Sequence, residues 1–233
     1  MSVLLRPSEE RGHANHGWLE SHHSFSFAHY YDPAHMGYRS LRVINDDVIR
    51  GGAGFPMHGH RDMEIITYVI QGGVAHRDTS GGTGVTHRGD VQVMTAGSGI
   101  RHSEFNASAS EELHLLQIWI LPDRDNLPPS YDQRTIPEAE KKNVLRLVVG
   151  PIGTQDALTI HQDVRLFASL LDEKASVHYE LPSGRGAWIQ VASGQIEVNG
   201  AHLKTGDGVS LEEVAGIDIA AVTGAEFLLF DLA

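Results

Sequence analysis

The chain has 233 residues, of which 41% are hydrophobic and 21% charged, with a formal net charge of −12 and no cysteine. This is the composition of a folded globular protein long enough to bury one large core or two small ones. The negative balance disfavours direct contact with nucleic-acid phosphates or a membrane surface, and the absence of thiols excludes disulfides, thiolate metal sites and cysteine nucleophiles.

In chain order, MSVLLRPSEERG has too short an apolar run for a signal peptide, and no later run is long enough to span a bilayer. A cytoplasmic protein is the expectation, and the missing cysteine agrees with a reducing compartment. The next stretch, RGHANHGWLESHHSFSFAHYYDP, carries His13, His16, His22, His23 and His29 among aromatic residues, with His35 just beyond. It is expected to pack on the body of the fold, with some histidines steadying others. Strand-length apolar or alternating runs follow, among them SLRVI, MEIITYVI, DVQVMTA and LHLLQIWIL, each closed by turn residues. In these runs His76, His87 and His114 look like ordinary strand residues, and Trp119 looks like core. Residues 122–143 are rich in proline and charge, which suits a connector because proline cannot donate to a β ladder. Within it PEAEKK could form a helical turn or two capped by Thr135. The last part returns to strands, AWIQVA, QIEVNG and AEFLLFDL, with Trp188 in the core.

The two halves share a plan. YVIQGGVAH turns on Gly72 and is followed by Gly89-Asp90; IQVASGQIEV turns on Gly194 and is followed by Gly206-Asp207. A strand, glycine turn, strand, Gly-Asp, strand unit used twice suggests an internal duplication. The expected division is 1–121, a connector at 122–143, and 144–233.

Chemistry concentrates in HGHRDME and RHSEFN. Residues two apart on a strand share a face, so His58 can point with His60, and His102 with Glu104. Three imidazoles and a carboxylate suit a divalent first-row metal; iron(II), manganese, cobalt, nickel, copper and zinc all remain open. Among fifteen histidines, one HxH pair is weak evidence; two pairs that meet in space would be strong.

Gly52, His58, His60 and Glu64 resemble the first motif of the cupin superfamily, and Gly89, Gly97, His102 and Asn106 its second. Thr95 replaces the usual proline, extra residues separate Gly97 from His102, and Glu64 comes early. These departures, with the opening RGHANHGW and SFSFAHYYDP, are similar to the pirin family over nearly the whole chain. The resemblance implies an all-β bicupin, two antiparallel jelly-roll barrels facing each other. One metal per chain would sit in the N-terminal barrel, with iron(II) first among the candidates. It implies His58, His60, His102 and Glu104 as ligands. Glu64, the rival fourth ligand on the general cupin pattern and on strand parity with His60, is discounted because pirins use the HxE glutamate.

The activity implied is that of a quercetin 2,3-dioxygenase, in which dioxygen opens the central ring of a flavonol and carbon monoxide leaves. Glu104 would take the 3-hydroxyl proton as catalytic base. Phe55, Met57, Met94 and Phe105 are candidates to line the substrate slot. The alternative is a non-enzymatic, metal-dependent regulator that binds a partner protein. A sugar-phosphate isomerase comes last, since only Arg61 and Arg101 lie near the ligands in sequence. The second copy is expected to lack a metal: aligning the glycines puts Glu180 and Pro182 at His58 and His60, and Ile219 and Ala221 at His102 and Glu104.

Overall fold

The computed structural model describes residues 2–233, nearly all of them in antiparallel strands and their turns. It divides into two compact units: residues 12–136 with 151–162, and residues up to 11 with 137–150 and 163–233. Each is a jelly-roll of two antiparallel sheets.

In the first unit, neighbouring strands of the larger sheet run in the order Ser130–Arg134, Val91–Thr95, Glu64–Gln71, Leu113–Ile120, Leu41–Ile49, Leu19–His23 and Gly12–Asn15. The smaller sheet runs Gly54–His60, Ile100–Asn106, Gly73–Asp78 and Thr83–His87. Alternation explains the second of these directly. Ile100, His102, Glu104 and Asn106 are buried, while Arg101 and Phe105 between them are exposed. The Glu64–Gln71 strand is instead buried from Glu64 through Ile70, as its continuous apolar run requires of a central strand.

In the second unit the strands follow the same plan. Ser2–Arg6, Gly208–Glu212, Gly186–Ser193, Ala225–Leu232, Val164–Leu171 and Arg146–Pro151 lie side by side in one sheet. Ser176–Glu180, Gly216–Ala221, Gln195–Val198 and Ala201–Lys204 form the other. The edge position taken by Ser130–Arg134 in the first unit is taken here by Ser2–Arg6, paired with Gly208–Glu212. Both glycine turns adopt the left-handed backbone that admits glycine most readily, with φ of 79° at Gly72 and 82° at Gly194. The duplication read from short motifs therefore extends to the strand order of whole sheets.

Pairing register corrects the expected alignment of the copies, by one residue at the first motif and by two at the second. His76 faces Glu104, and four residues after the equivalent glycine Val198 faces Ile219. His102 faces His58, and Ile217 faces Tyr179. The counterparts of His58, His60, His102 and Glu104 are thus Tyr179, Leu181, Ile217 and Ile219. Leu181, Ile217 and Ile219 are buried in a continuous apolar core with Val198, Ile189 and Phe227, and Tyr179 packs against it. Each such side chain contributes roughly 1.5–3 kcal/mol by leaving water.

Within 122–143, the five residues Ser130–Arg134 form an edge strand on Val91–Thr95, since no proline falls between Pro129 and Pro137 and the ladder donors there are intact. The helix is one turn, Glu138–Lys141. Its N-cap is Pro137, with no side-chain cap hydrogen bond, so the expected Thr135 cap is not formed. No helix among the described residues is long and apolar enough to cross a membrane.

Candidate metal centre and cavity

The strands Gly54–His60 and Ile100–Asn106 bring the two motifs together. His58 lies directly opposite His102, and His60 opposite Ile100. A β-bulge between His102 and Glu104 shifts the register, so that Glu104 pairs with Phe55. Gly54 permits the close approach there, because a Cβ on it would fall 2.3 Å from the Glu104 carbonyl oxygen. The ring centroids of His58, His60 and His102 lie 4.4–4.8 Å apart, and their donor atoms all fall within 4.8 Å of one another.

The donor set fits a metal ion on two observations. His58 Nδ1 lies 2.8 Å from the Pro56 carbonyl, which can only accept, so that nitrogen donates and the lone pair of a neutral His58 sits on Nε2. That Nε2 faces His102 Nε2 at 3.0 Å. Two cis nitrogens each about 2.1 Å from one ion stand about 3 Å apart. Burial, then the neighbouring His58, holds the His60 imidazole down to about 4. Burial and the adjacent histidines hold His102 down to about 3. Both rings are therefore neutral near pH 7, the form a metal requires.

Glu104 lies outside the three-histidine group and shares a second one with His102 and His76, again within 4.8 Å. Its carboxylate is buried and fully engaged. Gln92 Nε2 donates to Oε1 at 2.6 Å and Gln117 Nε2 to Oε2 at 2.7 Å, with Thr67 Oγ1 3.4 Å from Oε1. Burial pushes the carboxyl up to about 7, against the pull of these three donors. It is the environment of a base that exchanges its proton near neutrality.

Glu64, the rival ligand, is absent from the histidine cluster. Residues 61–63 turn the chain between His60 and the next strand, so the shared parity assumed from an extended segment is lost. Its oxygens instead accept from Thr95 Oγ1 at 2.8 Å and meet His161 Nδ1 at 3.2 Å.

His76 is not an ordinary strand residue. It is 2% exposed, with Nε2 2.8 Å from Asp78 Oδ2, its ring stacked at 4.1 Å on Tyr131 and 5.3 Å from His102. Gln92 and Gln117 were equally unforeseen. Their signal was a polar residue inside an apolar strand, in DVQVMT and LHLLQIWI, since buried amides require partners.

A cavity of about 680 Å³ opens onto His58, His60, His102 and Glu104. Phe27, Tyr30, Phe55, Ile65 and Trp119 give it aromatic and apolar walls; Ser21, His23, Asn45 and Asp47 supply a polar side. Trp119, expected in the core, stands edge-on to His60 at 4.9 Å and to Phe27 at 5.3 Å. Of the expected lining residues only Phe55 contributes. Met94 packs with Ile65, Ala96 and Ile100, while Met57 and Phe105 are 41% and 40% exposed. From the aromatic opening segment, His23 Nδ1 meets Asn45 Oδ1 at 2.8 Å, and its ring lies 5.3 Å from that of Phe27.

Residues 5–120 match the family model described as Pirin, and residues 147–232 match that of the quercetinase C-terminal cupin domain. The chain is 48% identical over 231 residues to a quercetin 2,3-dioxygenase of Escherichia coli (strain K12), covering 99% of this chain and 98% of that one. It is 42% identical to a pirin-like protein of Caulobacter vibrioides, with 98% of each covered. The crystal structure of the bacterial pirin YhhW from Escherichia coli in complex with nickel(II) superposes with a TM-score of 0.94 at 46% identity, covering 99% of both chains. On this fold, these motifs and these relatives, the chain belongs to the pirin family.

Proposed function

We propose that the chain is a metal-dependent dioxygenase that opens the central ring of a flavonol such as quercetin and releases carbon monoxide. One divalent metal, iron(II) first among the candidates, would be held by His58, His60, His102 and Glu104. The observation that carries this reading is a cluster of three imidazoles beside a buried carboxylate, at one wall of an aromatic cavity. Relatives named quercetin 2,3-dioxygenase and a nickel complex of one pirin support it.

When bound, the metal supplies a Lewis-acid and redox centre for dioxygen and the ionised substrate. The residues of the chain do the rest. Trp119, Phe27, Tyr30 and Phe55 offer faces and edges against which a flat aromatic molecule can stack while water is excluded. Glu104, buried beside the histidines, accepts the 3-hydroxyl proton. Gln92 and Gln117 fix the carboxylate so that its orientation is set before substrate arrives.

Oxygen uptake with quercetin tests this directly. Metal-stripped protein reloaded in turn with iron(II), manganese, cobalt, nickel, copper and zinc is expected to consume dioxygen with at least one redox-active ion. No uptake with any ion would leave the non-enzymatic regulator as the better account.

A further inference from the structure

We propose that His13, Glu20 and His22 form a second metal site, on the strands Gly12–Asn15 and Leu19–His23, on the face opposite Ser21 and His23. It would take a borderline divalent ion such as zinc or copper(II).

The strands Gly12–Asn15 and Leu19–His23 pair antiparallel, with His13 opposite His22 and Asn15 opposite Glu20. Directly opposed residues share a face, and Glu20 shares the face of His22 because it is two positions away. Ser21 and His23 alternate to the other side, where they line the cavity, which His13 also borders. The three side chains converge: their donor atoms lie within 4.8 Å of one another, and the two imidazoles stack at 4.8 Å with 24° between planes. His13 Nε2 already meets Glu20 Oε1 at 2.7 Å.

Glu20 is also held from behind. Asn15 Nδ2 donates to its other oxygen at 2.6 Å, the kind of outer hydrogen bond that orients a metal-binding carboxylate. The side chains of His13 and Glu20 are 50% and 42% exposed, which leaves room for water to complete a coordination shell. Two imidazole nitrogens and one carboxylate oxygen are ligands suited to zinc and copper. An ion there would clip the outermost strand of the large sheet, Gly12–Asn15, to its neighbour.

The site is distinct from the three-histidine cluster and shares no residue with it, so it stands or falls independently of the dioxygenase reading. Its test is equilibrium dialysis with zinc, using full-length protein purified without a histidine tag and stripped by a chelator. Wild type is expected to bind one tight and one weaker equivalent. The His58→Ala/His102→Ala variant should keep the weaker one and lose the tight one; His13→Ala/His22→Ala should show the reverse. Glu20→Gln, which keeps both histidines, should weaken the second equivalent by about tenfold or more. Zinc should raise the Tm of His58→Ala/His102→Ala, and that upward shift should vanish when His13→Ala and His22→Ala are added. A weaker equivalent that survives in His13→Ala/His22→Ala, or that wild type never shows, overturns the proposal.

Discussion

Where His58 faces His102 in the first unit, Tyr179 faces Ile217 in the second. Where His76 faces Glu104, Val198 faces Ile219. The backbone plan is the same, with the same strand order and the same left-handed glycine turn, yet one set of positions is polar and the other apolar. The difference teaches where each unit spends its interior. In the second, these inward positions join one continuous core from Leu171 to Leu229. In the first, the apolar core divides into separate clusters around Val69 and around Met94, and the space that remains is a cavity ringed by ionisable groups. A buried carboxylate and neutral histidines lower stability unless something binds them, which is the usual cost of a functional site.

The sharpest way to break this comparison is to make matching substitutions in the two units. His102→Ala should abolish metal-dependent oxygen uptake and lower tightly bound metal by about tenfold or more, with the far-ultraviolet dichroism of the sheets unchanged. Undiminished metal content in this variant would remove the assignment. Glu104→Gln should retain part of the metal while turnover falls by roughly 10²–10⁴, the usual contribution of a positioned general base. Glu104 as the base also gives wild type a rate that rises with pH as its carboxyl ionises. The pH–rate profile of Glu104→Gln should lack that limb, which a merely structural glutamate would leave in place.

At the matching position of the second unit the effect should invert. Ile217→Ala removes a fully buried side chain from the core and should cost about 2–5 kcal/mol in unfolding free energy, with tight metal binding per folded chain unchanged. Chemical denaturation followed by metal analysis of the folded fraction measures both. Lost metal in a well-folded Ile217→Ala protein would break the division of labour.

The smallest effect concerns Asp47, on the polar side of the cavity. Burial pushes its carboxyl up to about 7, offset in part by Ser21 Oγ, which donates to Oδ1 at 2.5 Å, while Asp46 and Glu104 add repulsion. Between the ordinary carboxylate range and about 7 the folded state holds a proton that the unfolded state has released. Stability from this group is therefore greatest at low pH and falls as pH rises through that window. Asp47→Asn removes the fall and should be more stable than wild type above pH 7, with the gain vanishing near pH 4. Equal pH dependence in urea melts of the two proteins would contradict this.

How much of this was legible in the sequence differs between fold and site. Strand content and the duplication could be read because alternation and glycine turns are local signals, as in IRHSEFN and at Gly72 and Gly194. The meeting of His58, His60 and His102 was accessible through the family resemblance; parity alone groups His58 with His60 and His102 with Glu104, and strand pairing brings the two groups together. His76 was not, because its burial depends on Tyr131, which arrives from a stretch whose prolines read as a connector. Trp119 looked like core because nothing local tells a strand residue facing packed side chains from one facing a cavity. Glu64, discounted as a rival ligand because pirins use the HxE glutamate, does stay apart from the three-histidine cluster. Parity carries across a continuous strand but not across the turn at residues 61–63.

The central claim is that the first unit performs ring-opening dioxygenation, and carbon monoxide is its signature. The measurement is gas released from quercetin by iron(II)-loaded wild type, set against dioxygen consumed and against His102→Ala treated identically. The account predicts about one carbon monoxide per dioxygen from wild type, as the proposed reaction requires, and background from the variant. Oxygen uptake without carbon monoxide, or equal release from both proteins, would contradict it.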